Sequence, residues 1–207
     1  MTRFALTLSL LLSTVAIARA DEKKDMPGTT AKEGASASDT KKEKLLKDIS
    51  RMAMPVAQHK LLEPLVGKWI TTAKLWWGQP KPEQVTGHAE ANWILGGRFV
   101  EEHYDSVMWG KPYAGNGVIG FDTRSKKYVS TWIDTWGTWI TEEEGAMDPT
   151  GKVLTLTAQD YDETGAKTRP IKFIYTLDGN DHHIMRVYEM VQGKETLTME
   201  VDYRKAK

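Results

Sequence analysis

The sequence contains no cysteine among its 207 residues. This absence excludes disulfide bonds, thiolate catalysis, cysteine metal sites and a lipid anchor on an N-terminal cysteine. Long apolar runs are also missing: after the first 20 residues, no segment stays apolar over the roughly 20 residues that a membrane-spanning helix needs. We therefore expect no integral membrane segment.

The chain also lacks an excess of charge of one sign. It has 28 Lys and Arg residues against 28 Asp and Glu residues, and two of the basic residues, Arg3 and Arg19, lie in the first 20 positions. Without those positions the net charge is 26 − 28 = −2. A chain with this balance has no electrostatic reason to bind nucleic acid or anionic lipid.

The first 44 residues contain no predicted folded structure. Residues 1–20 carry Arg3, an apolar run over 4–17 and a small-x-small site before a charged stretch, which is typical of a signal peptide. We therefore expect an exported protein, either periplasmic or secreted. Residues 21–44 have no aromatic residue and many charges, so they predict a disordered tether.

Residues 45–66 predict one or two short helices that pack on the base of the following domain. Apolar residues recur at helical spacing until Pro55 interrupts them, and a second short run stops at Gly67. These apolar residues are Leu45, Leu46, Ile49, Met52, Val56, Leu61, Leu62 and Leu65.

From Gly67 onward the chain consists of short alternating segments rich in Val, Ile, Thr, Trp and Tyr, separated by Gly, Pro, Asn and Asp turns. No helical pattern intervenes, so residues 67–207 predict an all-β domain: an antiparallel up-and-down β-barrel of about ten strands. Closure would remove exposed strand edges, and an open two-sheet sandwich is the alternative. The predicted strands are 67–77, 84–95, 98–109, 112–122, 127–136, 138–147, 152–161, 169–177, 182–191 and 195–205.

Several motifs resemble a known family. Gly67-Lys68-Trp69 at the start of the first strand resembles the calycins, which include lipocalins and fatty-acid-binding proteins. The segments "HKLLEPLVGKW", "WILGGRF", "GKPYAGNGVIGFD" and "KKYVSTWID" resemble, in that order, the bacterial domain of unknown function 1579. The resemblance implies a calycin-like barrel, usually exported, and implies no reaction. It also implies a structural base in which Gly67 and Trp69 meet Arg204 of the last strand.

Tryptophan is concentrated at the opposite end of the predicted barrel. Successive turns of an up-and-down barrel alternate between its two ends, so turns can be assigned to an end from the sequence alone. We expect the tryptophan-rich end to be the mouth of an apolar cavity. The predicted ligand-binding residues are Trp76, Trp109, Phe121, Trp132, Trp136 and Trp139, and Trp77 lies at the same end.

Polar clusters give weaker hypotheses. Glu101, His103 and Asp105 share one face of a strand and could hold a metal ion, but a solvated strand face explains them more simply, so we expect no metal. His182 or His183 could bind haem by analogy with nitrobindin-like barrels, although we expect no cofactor. The acidic run 142–144 is interpreted as charge at a strand edge or turn.

The favoured hypothesis is a binding protein that holds a small apolar molecule inside the barrel. The alternative is a packed barrel that serves as a structural or protein-interaction module, and an enzyme or haem protein comes third. No serine has a convincing base and orienting acid, so we assign no catalytic residue and do not expect an enzyme. The sequence identifies no protein partner.

Overall fold

The computed structural model describes residues 37–207 apart from 77, 162–164 and 166. The predicted signal peptide and residues 21–36 of the predicted tether lie outside the described residues. Helix α1 spans Ala37–Ala53, so the last eight residues of the predicted tether are helical. The prediction missed this start because the charged, Lys-rich segment has no apolar periodicity, although Lys and Glu are good helix formers.

Two short helical turns follow α1 and carry apolar side chains into the domain. Helix α2 spans Ala57–Lys60, and a 3-10 helix spans Glu63–Leu65 with Pro64 in its first turn. The backbone N–H of Val56 donates to Nδ1 of His59 over 3.0 Å, which fixes the start of α2. Leu62 and Leu65 are buried, so this segment anchors the chain on the barrel.

Ten antiparallel strands form a closed barrel in which each strand pairs with its neighbours in sequence and the first pairs with the last. The predicted fold is confirmed, and the open sandwich is excluded. The strands are β1 Gly67–Leu75, β2 Glu83–Ile94, β3 Phe99–Met108, β4 Lys111–Asp122, β5 Lys127–Asp134, β6 Thr141–Met147, β7 Val153–Tyr161, β8 Thr168–Leu177, β9 His182–Val191 and β10 Lys194–Lys205.

The largest departure from the predicted strands lies between β5 and β6. A loop replaces the predicted strand ends at 135–136 and 138–140, so Trp136 and Trp139 lie on a loop. Asp134 turns the chain here, because its carboxylate accepts a hydrogen bond from the backbone N–H of Trp136 over 2.8 Å.

One half of the barrel interior is tightly filled. Leu62 and Leu65 pack against inward side chains of six strands, among them Val100, Leu154 and Leu156. Leu62, Leu154 and Leu156 have no accessible surface. The helical segment therefore closes this end, which we call the base.

Trp69 lies beside the base, and the cation over its ring is not the predicted Arg204. Trp69 donates its indole N–H to the carbonyl of Leu65 over 3.0 Å, and Nζ of Lys205 lies 4.7 Å from its ring centroid. Arg204 instead pairs across the sheet with Ile70 and bonds to Asp202. The β1–β10 register is the reason: it places Lys205 opposite Trp69 and turns Arg204 to the outer face.

Candidate functional site

The other half of the barrel encloses a cavity of about 240 Å³. Its walls are mainly apolar and include Leu75, Ile171, Met185 and Met199. Inward positions occupied by small residues leave this space unfilled, notably Ala73 and Ser130. The cavity extends from Leu65 at the base to Trp136 on the β5–β6 loop. Trp136 is 38% exposed, so this end of the cavity lies beside solvent.

Two of the predicted tryptophans line the cavity. Trp132 lies across the backbone of β4, where a Cβ at Gly117 would come within 2.8 Å of its indole Cε3. The absence of a side chain at Gly115 and Gly117 therefore makes room for this ring on the inner face of β4. Asp134 accepts hydrogen bonds from the indole N–H of Trp132 and from the hydroxyl of Tyr113, each over 3.1 Å.

Trp136 and Trp109 form an aromatic pair at the end of the cavity beside the β5–β6 loop, which we call the rim. Their rings are stacked with centroids 4.9 Å apart, and Trp136 also packs edge-on against Tyr113. The indole N–H of Trp109 donates to the carboxylate of Glu83 over 2.6 Å. Trp109 thus supports Trp136 from outside the cavity.

The remaining predicted contacts lie elsewhere. Among the described residues that line the cavity there is no Trp76, Phe121 or Trp139. Phe121 packs at the base against Tyr128 and His59, because its place near the end of β4 is beside α2. Trp139 is 62% exposed, and Trp76 follows the inward Leu75 and therefore has the opposite parity. Trp77 lies outside the described residues.

Two glutamates inside the barrel were not identified from the sequence. Glu102 lines the cavity and accepts a hydrogen bond from the hydroxyl of Tyr203 over 3.2 Å. Glu102 is half-buried. Burial raises the pKa of Glu102 to about 7, and the bond from Tyr203 opposes that rise.

Glu143 is the second interior carboxyl. It lies opposite Ser130 in the β5–β6 register, is 6% exposed and lines the cavity. Burial raises its pKa to about 7, opposed by the hydrogen bond with Ser130. Its Oε2 is buried without a hydrogen-bond partner among the described residues. The interpretation of 142–144 as edge charge is therefore wrong for Glu143, since strand alternation sends the middle residue inward.

The charges of both glutamates affect the pKa of Tyr175. Burial, together with the negative charges of Glu143 and Glu102, raises the pKa of its hydroxyl well above 10. The phenol is therefore neutral at physiological pH and can donate a hydrogen bond into the cavity.

Strict alternation in "EEHYD" and "TEEEG" could have located both glutamates, because Glu102 shares the parity of Val100 and Tyr104.

Among the described residues that line the cavity, every charged side chain is acidic. Four carboxyl side chains line it: Glu102, Asp134, Glu143 and Asp160. Among the described lining residues there is no Lys, Arg or His. Because the surrounding apolar walls screen charge poorly, the potential inside the cavity is negative whenever these groups ionise.

The other polar candidates lie away from the cavity. His103 is exposed on the outer face, 3.4 Å from Glu101 and 2.7 Å from Asn116. Within the described part of the chain, no group of three or more potential metal ligands is clustered. His183 points inward, but its ring is stacked on Tyr203 and packed edge-on against Trp69, and burial lowers its pKa to about 3. His182 lies between Asp178 and Asp202.

None of the helices within residues 37–207, as far as the structure describes them, has the length and apolar character needed to span a membrane.

Two solved structures are similar to this chain, and the first of them supports the fold. The crystal structure of Rv2717c from M. tuberculosis aligns with a TM-score of 0.57 at 16% identity, covering 74% of this chain and 100% of that chain. The S-type phycobiliprotein lyase CPES from Guillardia theta aligns with a TM-score of 0.49 at 11% identity, covering 73% of this chain and 94% of that chain. No curated protein sequence matches the chain significantly. A family model described as "Protein of unknown function (DUF1579)" matches residues 54–205, and the chain therefore belongs to that family.

Proposed function

We propose that this protein binds a small, largely apolar molecule inside its barrel. The observation that carries the proposal is the cavity of about 240 Å³ between the closed base and the aromatic rim. A dry apolar cavity of about 150 Å³ is enough to hold benzene, so by proportion this one suits a ligand of roughly ten heavy atoms. A long fatty acid or a haem is larger than that.

The rim supports an entry route beside Trp136. This residue lines the cavity and is also partly exposed, and Trp109 stacks on its outer side. A ring at this position offers an apolar face to a passing ligand while its N–H can bond to water.

Titration with the neutral probe 4-phenylbutan-1-ol tests the proposal. We expect saturable one-to-one binding by calorimetry, and we expect Met185→Trp to abolish it by filling the cavity. Met190→Trp is the matched control, because Met190 is on the same strand with opposite parity and does not line the cavity. Thermal melts would verify that both variants fold. Equal binding by the two variants would place the probe outside the barrel.

A protein-interaction module is the second candidate. Trp139 and Ile140 are adjacent on the β5–β6 loop and are 62% and 64% exposed, which is unusual for large apolar side chains. This function predicts that Trp139→Ser reduces cross-linking to a partner while the binding of 4-phenylbutan-1-ol is unchanged. Loss of probe binding in that variant would argue against a separate interaction surface.

Export is part of the proposal and is supported by the signal-like pattern of residues 1–20. Mass spectrometry of protein expressed with its leader tests this directly. We expect a mature chain that begins at Asp21, recovered from outside the cytoplasm, whereas a full-length chain retained in the cytoplasm would contradict it.

A further inference from the structure

We propose that the ligand is a small amphipathic organic cation whose ammonium group pairs with Glu143 while its apolar body fills the cavity. This inference rests on the proposed function, because it requires that the cavity bind a ligand.

Glu143 provides the first argument. It is 94% buried, since only 6% of its surface is accessible, and its Oε2 has no partner among the described residues. Buried polar side-chain atoms in native proteins are nearly always hydrogen-bonded. Glu143 lines the cavity, so a donor group of a ligand bound there is the natural partner for its carboxyl group.

The second argument is that the neighbouring groups suit an ammonium ion. Glu102 and Tyr175 line the same cavity, and Tyr175 is close enough to both glutamates to be affected by their charges. An ammonium group has three donors and can bond to more than one carboxylate. Charge-assisted hydrogen bonds of this kind are roughly twice as strong as neutral ones.

Aromatic faces give additional support. Tyr104, Tyr113, Trp132 and Trp136 line the cavity near the carboxyl groups. Cations are attracted to the faces of Trp and Tyr within about 6 Å of the ring centroid. An amine entering past Trp136 would therefore meet favourable contacts before it reaches Glu143.

The same wall disfavours anions. Arg169, opposite Asp160 in the β7–β8 register, is paired with Glu189. The other lining carboxyls have no basic residue among the described lining residues, so a carboxylate or phosphate buried beside Glu143 or Glu102 would meet like charge. Burial of an unpaired charge is strongly unfavourable. Fatty acids and other anionic lipids are consequently poor ligands for this cavity.

A matched set of three probes tests the inference: 4-phenylbutylamine, 4-phenylbutan-1-ol and 4-phenylbutanoate. Calorimetric titration at pH 8 is suitable, because Glu143 and Glu102, with pKa values of about 7, are then largely ionised while the amine stays protonated. We expect the amine to bind at least about tenfold more tightly than the alcohol, a difference of about 1.4 kcal/mol. We expect no measurable binding of the butanoate.

The outcomes separate the two proposals. If the alcohol or the butanoate binds as tightly as the amine, the cation proposal is wrong and the binding function stands. If none of the three probes binds, the proposed function fails and the inference fails with it.

Variants then locate the ammonium group. We expect Glu143→Gln to bind the amine with nearly the same affinity as the alcohol. The affinity for the alcohol itself should not change. Glu142→Gln is the matched control, because Glu142 is exposed on the outer face of the same strand, and it should keep the full preference. Glu102→Gln is the second variant, and thermal melts would verify folding. A preference that survives both interior substitutions would overturn the assignment.

Discussion

At the scale of single residues, the orientation of two glutamates determines the chemistry of the interior. Glu102 and Glu143 each lie within a run of acidic residues, and in both runs the neighbours face solvent. Alternation along the strand places one member of each run inside the barrel. An apparently ordinary charged strand thus contributes a buried carboxyl.

The first prediction concerns the pH dependence of stability. Burial raises the pKa of Glu143 from 4.5 to about 7, so the folded state binds this proton more tightly than the unfolded state. The stabilisation is complete below about pH 4.5 and is lost as the pH rises through 7. At 1.36 kcal/mol per pKa unit, the 2.5-unit difference amounts to about 3 kcal/mol.

We therefore expect Glu143→Gln to have a higher free energy of unfolding than wild type. This gain should be larger at pH 8 than at pH 5, by up to about 3 kcal/mol. Ser130 and Tyr175 face Glu143 and remain neutral over this range, and folded-state His183, whose pKa is lowered to about 3, also remains neutral. Glu102 titrates in both proteins, so its effect largely cancels. Urea denaturation at the two pH values measures the difference. The exposed Glu142→Gln should show no such change, and an equal effect of Glu143→Gln at both pH values would refute the prediction.

At the scale of structural elements, the helical segment before β1 closes the base. Leu62 is fully buried, whereas its neighbour Leu61 is 38% exposed. We expect Leu62→Ala to reduce the free energy of unfolding by about 2 to 5 kcal/mol through the cavity it creates, and Leu61→Ala to reduce it by no more than about 1 kcal/mol. Chemical denaturation decides this, and similar losses for both variants would show that the segment does not seal the barrel.

The β5–β6 loop is the element that forms the rim. Trp136 on this loop lines the cavity, and Trp139 three residues later does not. We expect Trp136→Ala to weaken binding of 4-phenylbutan-1-ol by about 0.5 to 1.5 kcal/mol, the usual range for an aromatic contact, and Trp139→Ala to leave binding unchanged. Titration calorimetry of both variants provides the comparison, and the reverse order would assign the entrance to Trp139.

At the scale of the whole molecule, the sequence was sufficient to predict the architecture. Ten alternating segments separated by turn residues predicted ten strands, and all ten are present in the closed barrel. Local patterns succeed here because turn chemistry and alternation are both short-range properties. The β5–β6 loop was missed because "TWGTWI" has strand-like composition although Asp134 turns the chain.

Long-range register was less accessible from the sequence. The choice of Lys205 instead of Arg204 as the partner of Trp69 depends on a one-residue offset between the first and last strands. No local pattern fixes that offset. The cavity has a similar origin, because it depends on the summed volumes of inward side chains from different strands, such as Ala73 and Ser130.

Methionine-methyl NMR during titration with 4-phenylbutylamine tests the central claim most directly, that a ligand binds inside the barrel. Met108, Met185 and Met199 line the cavity, while Met54 is 59% exposed and lies outside it. The account predicts saturable shifts of the three cavity methyl signals with no change at Met54. Unchanged cavity signals, or shifts confined to Met54, would contradict it.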